Sequence, residues 1–189
     1  MILKALYDYY NRCGNLPAFG MEEKEIGFVI VISKEGKFVR FEDCRLDSKQ
    51  ARTYLVKKHV GRSSAIVANY LYDNSSYVLG YAENEKAKKD VEEQTKKRSD
   101  KENACLEAFK EKVDSIYKVY PENNDLAAIC KFYQQSKEDI LASISQDSLW
   151  EEIKKNLSKK YSTFSFRIDG DLKIVAEKKE ILQLEYSED

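Results

Sequence analysis

The chain has 189 residues and a mass of 22.0 kDa, is 42% hydrophobic, 34% charged and 12% aromatic, and carries a formal net charge of −1. That length suits one domain with a real core, the aromatic share is too high for a disordered chain, and near-neutrality excludes the overall basic signature of a protein that coats nucleic acid. No apolar stretch approaches the roughly 20 residues of a membrane span, and the opening MILKALYDYYNR is polar where a signal peptide keeps its apolar run, so a cytoplasmic chain without a membrane partner is expected.

In chain order, Leu3, Leu6, Tyr7 and Tyr10 follow helical spacing, and Gly14 is placed to end that helix. The β-branched run Glu25-Ile-Gly-Phe-Val-Ile-Val-Ile, the turn Ser33-Lys-Glu-Gly36 and the alternating Lys37–Phe41 describe a hairpin. A further strand is expected at Arg52–Val56. Residues Glu83 to Lys101 are charged nearly all round, with oppositely charged residues spaced four apart, and read as a solvated helix or linker.

From Cys105 the pattern is amphipathic, with Phe109, Val113, Ile116, Tyr117 and Tyr120 on one face until Pro121 stops it. Asn124 or Asp125 can cap a following helix, and Ser136 with Asp139 and Ser148 with Glu151 have capping-box spacing. Phe164, Phe166 and Ile168 then alternate, Asp169-Gly170 is a hairpin turn signal, and Leu172, Ile174 and Ala176 alternate on the return. The expected class is therefore α+β: an N-terminal helix and strands forming a small sheet, a helical layer over about 83–160, and a C-terminal β-hairpin, all in one domain spanning 1–189.

Cys13, Cys44, Cys105 and Cys130 stand singly, with no CxxC pair, so reduced thiols are expected. With His59 as the one histidine, zinc is not expected, and no other cofactor is indicated. A triad would have to use His59, which lies in a basic segment better suited to phosphate contact or plain exposure. Asp171, Glu177 and Lys179 fall at the spacing of a metal-dependent nuclease core, yet Glu177-Lys-Lys-Glu180 also reads as a solvated charge run, and a non-catalytic chain is the expectation.

The segment from Val56 to Gly80 is the most informative. It sets Lys57, Lys58 and Arg62 beside Gly61 and the hydroxyls of Ser63 and Ser64, a set that can present cations and backbone amides to phosphate oxygens. Asn69 and Asn74 carry amides able to read base edges, and Tyr70, Tyr72 and Tyr77 can stack or pack nearby. Two alternatives stay open here: the basic residues as a solvated turn with the tyrosines as core, and the asparagines as turn formers. A second functional class is a protein-interaction scaffold built on the helices from Cys105 to Leu157, with Trp150 as an anchor or as a core residue.

The opening ILKALYDYYNR, the Glu25–Ile32 strand with its Lys-Glu-Gly turn, and above all the block from Arg62 to Gly80 resemble the N-terminal region of the type I-C CRISPR-associated large subunit, the Csd family. Phe-Arg-Ile-Asp-Gly at 166–170 fits more loosely, and Ala68 stands where members of the family often carry proline. Those proteins are much longer, so the resemblance implies the front piece of a larger subunit. It also implies a place in an RNA-guided surveillance complex (Cascade), where the large subunit recognises the protospacer-adjacent motif in double-stranded target DNA and aids duplex opening. The implied partners are that DNA, the CRISPR RNA-containing complex with its backbone subunits, and a helicase-nuclease recruited to the whole. On this reading Lys57, Lys58, Arg62, Ser63, Ser64, Asn69, Tyr70 and Asn74 contact nucleic acid, and guide pairing reads the remaining sequence.

Overall fold

A computed structural model describes residues 17, 20–63, 65–82 and 92–184. The expected first helix, Cys13, Ser64 and the charged stretch before Glu92 lie outside the described residues.

The run expected as one strand is two, because the chain passes from one sheet to another at Ile26-Gly27. Strand β1 (Met21–Glu25) pairs antiparallel with β4 (Thr53–Lys57) in a two-stranded ribbon, whereas β2 (Phe28–Ile32) enters a four-stranded sheet beside β3 (Phe38–Asp43). Gly27 sits against the Tyr161 carbonyl, and a Cβ there would lie 2.5 Å from that oxygen, so no side chain fits the crossing. The remaining strands are β5 (Tyr72–Asn74) and β6 (Thr163–Ile168), and the sheet order is β3-β2-β6-β5.

Strand β2 is buried along its whole length, as suits a central strand that is apolar at every position. Its parallel neighbour β6 comes from more than 130 residues later in the chain, pairing Phe28 with Phe164 and Ile32 with Ile168. The expected C-terminal hairpin is not formed. The chain does turn at Asp169-Gly170, but β6 already has β2 on one edge and β5 on the other, so no edge remains for a returning strand. Leu172 is instead left 95% exposed, and Val175–Glu177 form a 3-10 turn followed by α6 (Lys179–Leu182), burying Ile174, Val175, Ala176 and Ile181. Lys178 anchors this return by pairing with Asp125, at 2.7 Å, and with Asp171.

A short α1 (Ser75–Val78) follows β5, and α2 (Glu92–Val119), α3 (Asn124–Tyr133), α4 (Lys137–Ile144) and α5 (Trp150–Asn156) follow in turn. Helix α2 carries the solvated pattern at its start, with Arg98 paired to Glu102 across one turn, and the apolar face from Cys105 onward. Asn123, one residue earlier than expected, caps α3 by accepting from the N–H groups of Asp125 and Leu126, and Ser136 caps α4 through the Asp139 N–H as expected. Ser148 makes no such cap on α5. That helix has no side-chain cap, and just before it Asp147 accepts the Leu149 N–H on one oxygen and the outward-facing N–H of Phe41 on β3 with the other.

Phe166 packs its ring against Phe109, Phe132 and Tyr133, which joins β6 to α2 and α3. Trp150 is 5% exposed, stacked on Phe41 and edge-on to Tyr81, so it is a core residue of this chain. Cys44, Cys105 and Cys130 are buried free thiols, and burial aided by Asp114 pushes the Cys130 thiol up to about 12.

The hairpin turn beneath α3 gives the sharpest test of this packing. Gly36 has φ +77°, and a Cβ on it would come within 2.5 Å of the Phe132 nitrogen and 2.7 Å of the Ala128 carbonyl. Gly36→Ala is expected to cost at least about 2 kcal/mol in denaturant unfolding, while Gly61→Ala, which points into open space, stays within about 0.5 kcal/mol.

Candidate nucleic-acid interface

Strand β4 ends at Lys57 and β5 starts at Tyr72, so residues 58–71 must leave one sheet and enter the other. Their start is tied down by the Tyr72 hydroxyl, which lies 2.8 Å from the Lys57 carbonyl and 2.9 Å from Glu22 Oε1. Glu22 also accepts the backbone N–H of His59 at 3.1 Å and faces its Nδ1 at 2.8 Å. Partial burial alone would raise the Glu22 carboxyl, but His59 and Tyr72 outweigh it and hold the group below its ordinary value of 4.5. The Tyr72 hydroxyl is pushed well up, first by burial and then by the Glu22 carboxylate.

The far end of the segment is organised by Asp73, which is 2% exposed. Its carboxylate accepts the two terminal nitrogens of Arg62, Nη1 at 3.0 Å, together with the N–H of Asn69 and of Asn74, each at 2.9 Å. Four donors on one carboxylate satisfy a charge that would otherwise be costly to bury. Arg62 also donates Nε to the Val67 carbonyl at 2.6 Å and lies 4.0 Å from the centre of the Tyr77 ring. Burial by itself would lower this guanidinium, and the Asp73 pair reverses the sign and raises it.

Between those ties the chain makes a tight loop. The Val60 N–H donates to Asn69 Oδ1 at 3.0 Å, and with the Arg62–Val67 bond it closes a finger whose tip, Gly61 to Ile66, is exposed at Gly61, Ser63, Ala65 and Ile66. After the finger, Leu71 has φ 64° while fully buried, a conformation that costs a bulky L residue roughly 1–2 kcal/mol. Its carbonyl accepts the hydroxyl of buried Ser165 on β6, which fixes the turn against the sheet.

The candidate residues thus divide. Lys58 and Ser63 are exposed, and neither side chain is held by another group among the described residues. Lys57 is turned inward, donating to the Leu184 carbonyl and lying 4.9 Å from the centre of the Tyr70 ring. Arg62 is committed to Asp73 and Val67. Asn69 is buried with its oxygen used by Val60, and Tyr70 is 8% exposed. Asn74 is exposed, and its side-chain oxygen caps α1 through the Ser76 N–H. Tyr72, too, belongs to a buried strand, not to a loop.

The residues that organise the site, Asp73 and Glu22, are not among those singled out from the sequence. An acid inside the aromatic run Tyr70-Leu-Tyr-Asp-Asn74 is the one signal that could have found Asp73, since a buried carboxylate requires a cation and Arg62 is the nearest one upstream. Of the nuclease-spaced set, Asp171 is paired to Lys178 and Lys179 is exposed. Among the described residues no group of three or more His, Cys, Asp or Glu side chains is placed to hold a metal ion, and no helix is long and apolar enough to cross a membrane.

Comparison with known families bears on what such a loop serves. The profile of the family described as CRISPR-associated protein (Cas_Csd1) matches residues 6–188. The chain belongs to this Csd1 family. Membership accords with a Cascade-type role, and the match runs from before β1 to beyond α6, so the finger and both sheets lie inside the region the family shares. No curated protein matches the chain.

The Glu22 contacts carry a pH signature. A carboxyl whose folded value is depressed adds stability that is complete above its unfolded value of 4.5 and is lost as pH falls through the lower folded one. Glu22→Gln should therefore unfold at lower denaturant than the parent near pH 7, with the gap closing below about pH 4 as the parent loses this contribution. A gap independent of pH would contradict the assignment.

Proposed function

We propose that this Csd1-family chain recognises the protospacer-adjacent motif of double-stranded target DNA within a Cascade complex, using the finger between β4 and β5. The observation that carries the reading is the division of labour in that segment. Its backbone is pinned at both ends by buried groups, while Lys58 and Ser63 are left in solvent on the exposed side. A loop so held can meet a duplex without first being ordered, which lowers the entropic cost of binding.

On this reading Lys58 and Ser63 contact phosphates. Base edges are met by the exposed amide of Asn74, whose oxygen is occupied by the α1 cap, so it acts chiefly as a donor toward acceptor groups such as those of the minor groove. The exposed Ile66 supplies an apolar group of the kind that can press between base steps, in keeping with a part in duplex opening. A nearly neutral chain suffices for this, because only a short stretch of duplex is read and guide pairing supplies the rest. The role is one of binding and not catalysis. Asp171 serves the C-terminal turn through Lys178, which supports that view over a nuclease.

The test is binding of the assembled complex to duplexes with correct and altered motifs across a salt series. Lys58→Ala is expected to weaken both duplexes alike and to lower the salt slope by about one, the signature of one lost phosphate contact. Asn74→Ala is expected to reduce the ratio between motifs by about 5- to 100-fold. If both variants assemble normally and keep the parent's affinity, slope and ratio, the reading surface lies elsewhere.

A further inference from the structure

Resting on that reading, we infer that Arg62 and Asp73 are positioning residues for the finger, and that Arg62 contacts no phosphate even though it is the arginine of the basic segment. Its guanidinium is spent on contacts inside the chain. Nη1 and Nη2 are given to Asp73, Nε to the Val67 carbonyl, and the flat face to the Tyr77 ring. A phosphate would have to break a buried fork-shaped pair before gaining anything, because Asp73 is 2% exposed and, among the described residues, Arg62 is the cation bonded to it.

The same contacts explain why an arginine is used. Only a planar fork reaches both Asp73 oxygens and still leaves Nε for the carbonyl that closes the finger. Asp73 in turn fixes Asn69 and Asn74 through their N–H groups, so one carboxylate sets the finger's base, the Asn69 brace on Val60 and the start of the α1 cap that holds Asn74. Loosening the pair should leave Lys58 exposed as before but release the Asn69 brace and the start of the α1 cap that holds Asn74. The quantity at risk is discrimination between motifs, not the electrostatic share of affinity.

The experiment uses the assembled complex carrying Arg62→Lys, Asp73→Asn, the combined Arg62→Gln/Asp73→Asn, or Lys58→Ala, with correct and altered motifs over a salt series. Arg62→Lys keeps the charge and loses the fork. It is expected to lower the ratio between motifs about tenfold with an unchanged salt slope. Asp73→Asn should do the same, and the combined variant, which buries no unpaired charge and so protects assembly, should lose no more than the worse single variant. The proposal is overturned if Arg62→Lys retains the parent's ratio, or if the combined variant keeps the ratio and lowers the slope by about one, as a lost phosphate contact requires. Should Lys58→Ala alter binding while the Arg62 and Asp73 variants do not, the clamp is wrong and the reading loop stands. If every variant assembles and binds as the parent does, the reading loop itself is wrong.

Discussion

The Asp73 carboxylate is the constraint on which the candidate interface depends. It sits in the middle of β5, is nearly inaccessible to solvent, and is satisfied by Arg62 and Asn69 from the finger and by Asn74 from its own strand. Buried ion pairs seldom add net stability over an apolar replacement, and their better-attested use is to fix one arrangement among several. Here the arrangement includes Leu71 in a left-handed conformation that a leucine adopts at a cost. The cost is met by full burial of its side chain and by the Ser165 hydroxyl on its carbonyl.

That local order is transmitted from the body of the protein through β6. The strand is central, flanked by β2 and β5, and it supplies Ser165 to the finger's exit turn on one face and Phe166 to the α2–α3 layer on the other. Since β6 comes late in the chain, the sheet beneath the interface is completed only when the C-terminal third docks between strands made early. The finger's geometry is therefore a property of the whole described body and not of the 58–74 segment alone. The same late closure brings α6 and the Lys178 pairs into place beside β6.

Much of this was legible in the sequence where period and capping chemistry decide structure. The β2–β3 hairpin, β4, the amphipathic part of α2, the Ser136 cap and the turn at Asp169-Gly170 all follow from local patterns. The two strand misreadings have one cause, which is that pairing is non-local. Period two at Leu172, Ile174 and Ala176 looks like a returning strand, but strand formation needs a free edge, and β5 had taken it. The run from Glu25 to Ile32 reads as one strand because its apolar residues continue on both sides of Gly27, and the Tyr161 carbonyl that makes this glycine a crossing comes from far along the chain. In the interface, residue type alone could not tell an arginine offered to solvent from one spent on a buried acid. It is the partner, Asp73, that decides, and its burial is a tertiary fact.

Under the proposed function the tip of the finger lies against the motif. The most direct measurement places a photo-crosslinking residue at Ser63 in the assembled complex, with one at exposed Ser99 on α2 as the comparison, and maps adducts on a target duplex. Adducts from position 63 confined to the motif base pairs and their flanking phosphates, with none from position 99, are the expected result. Absence of DNA adducts from position 63 in a complex that binds its target normally would contradict the account.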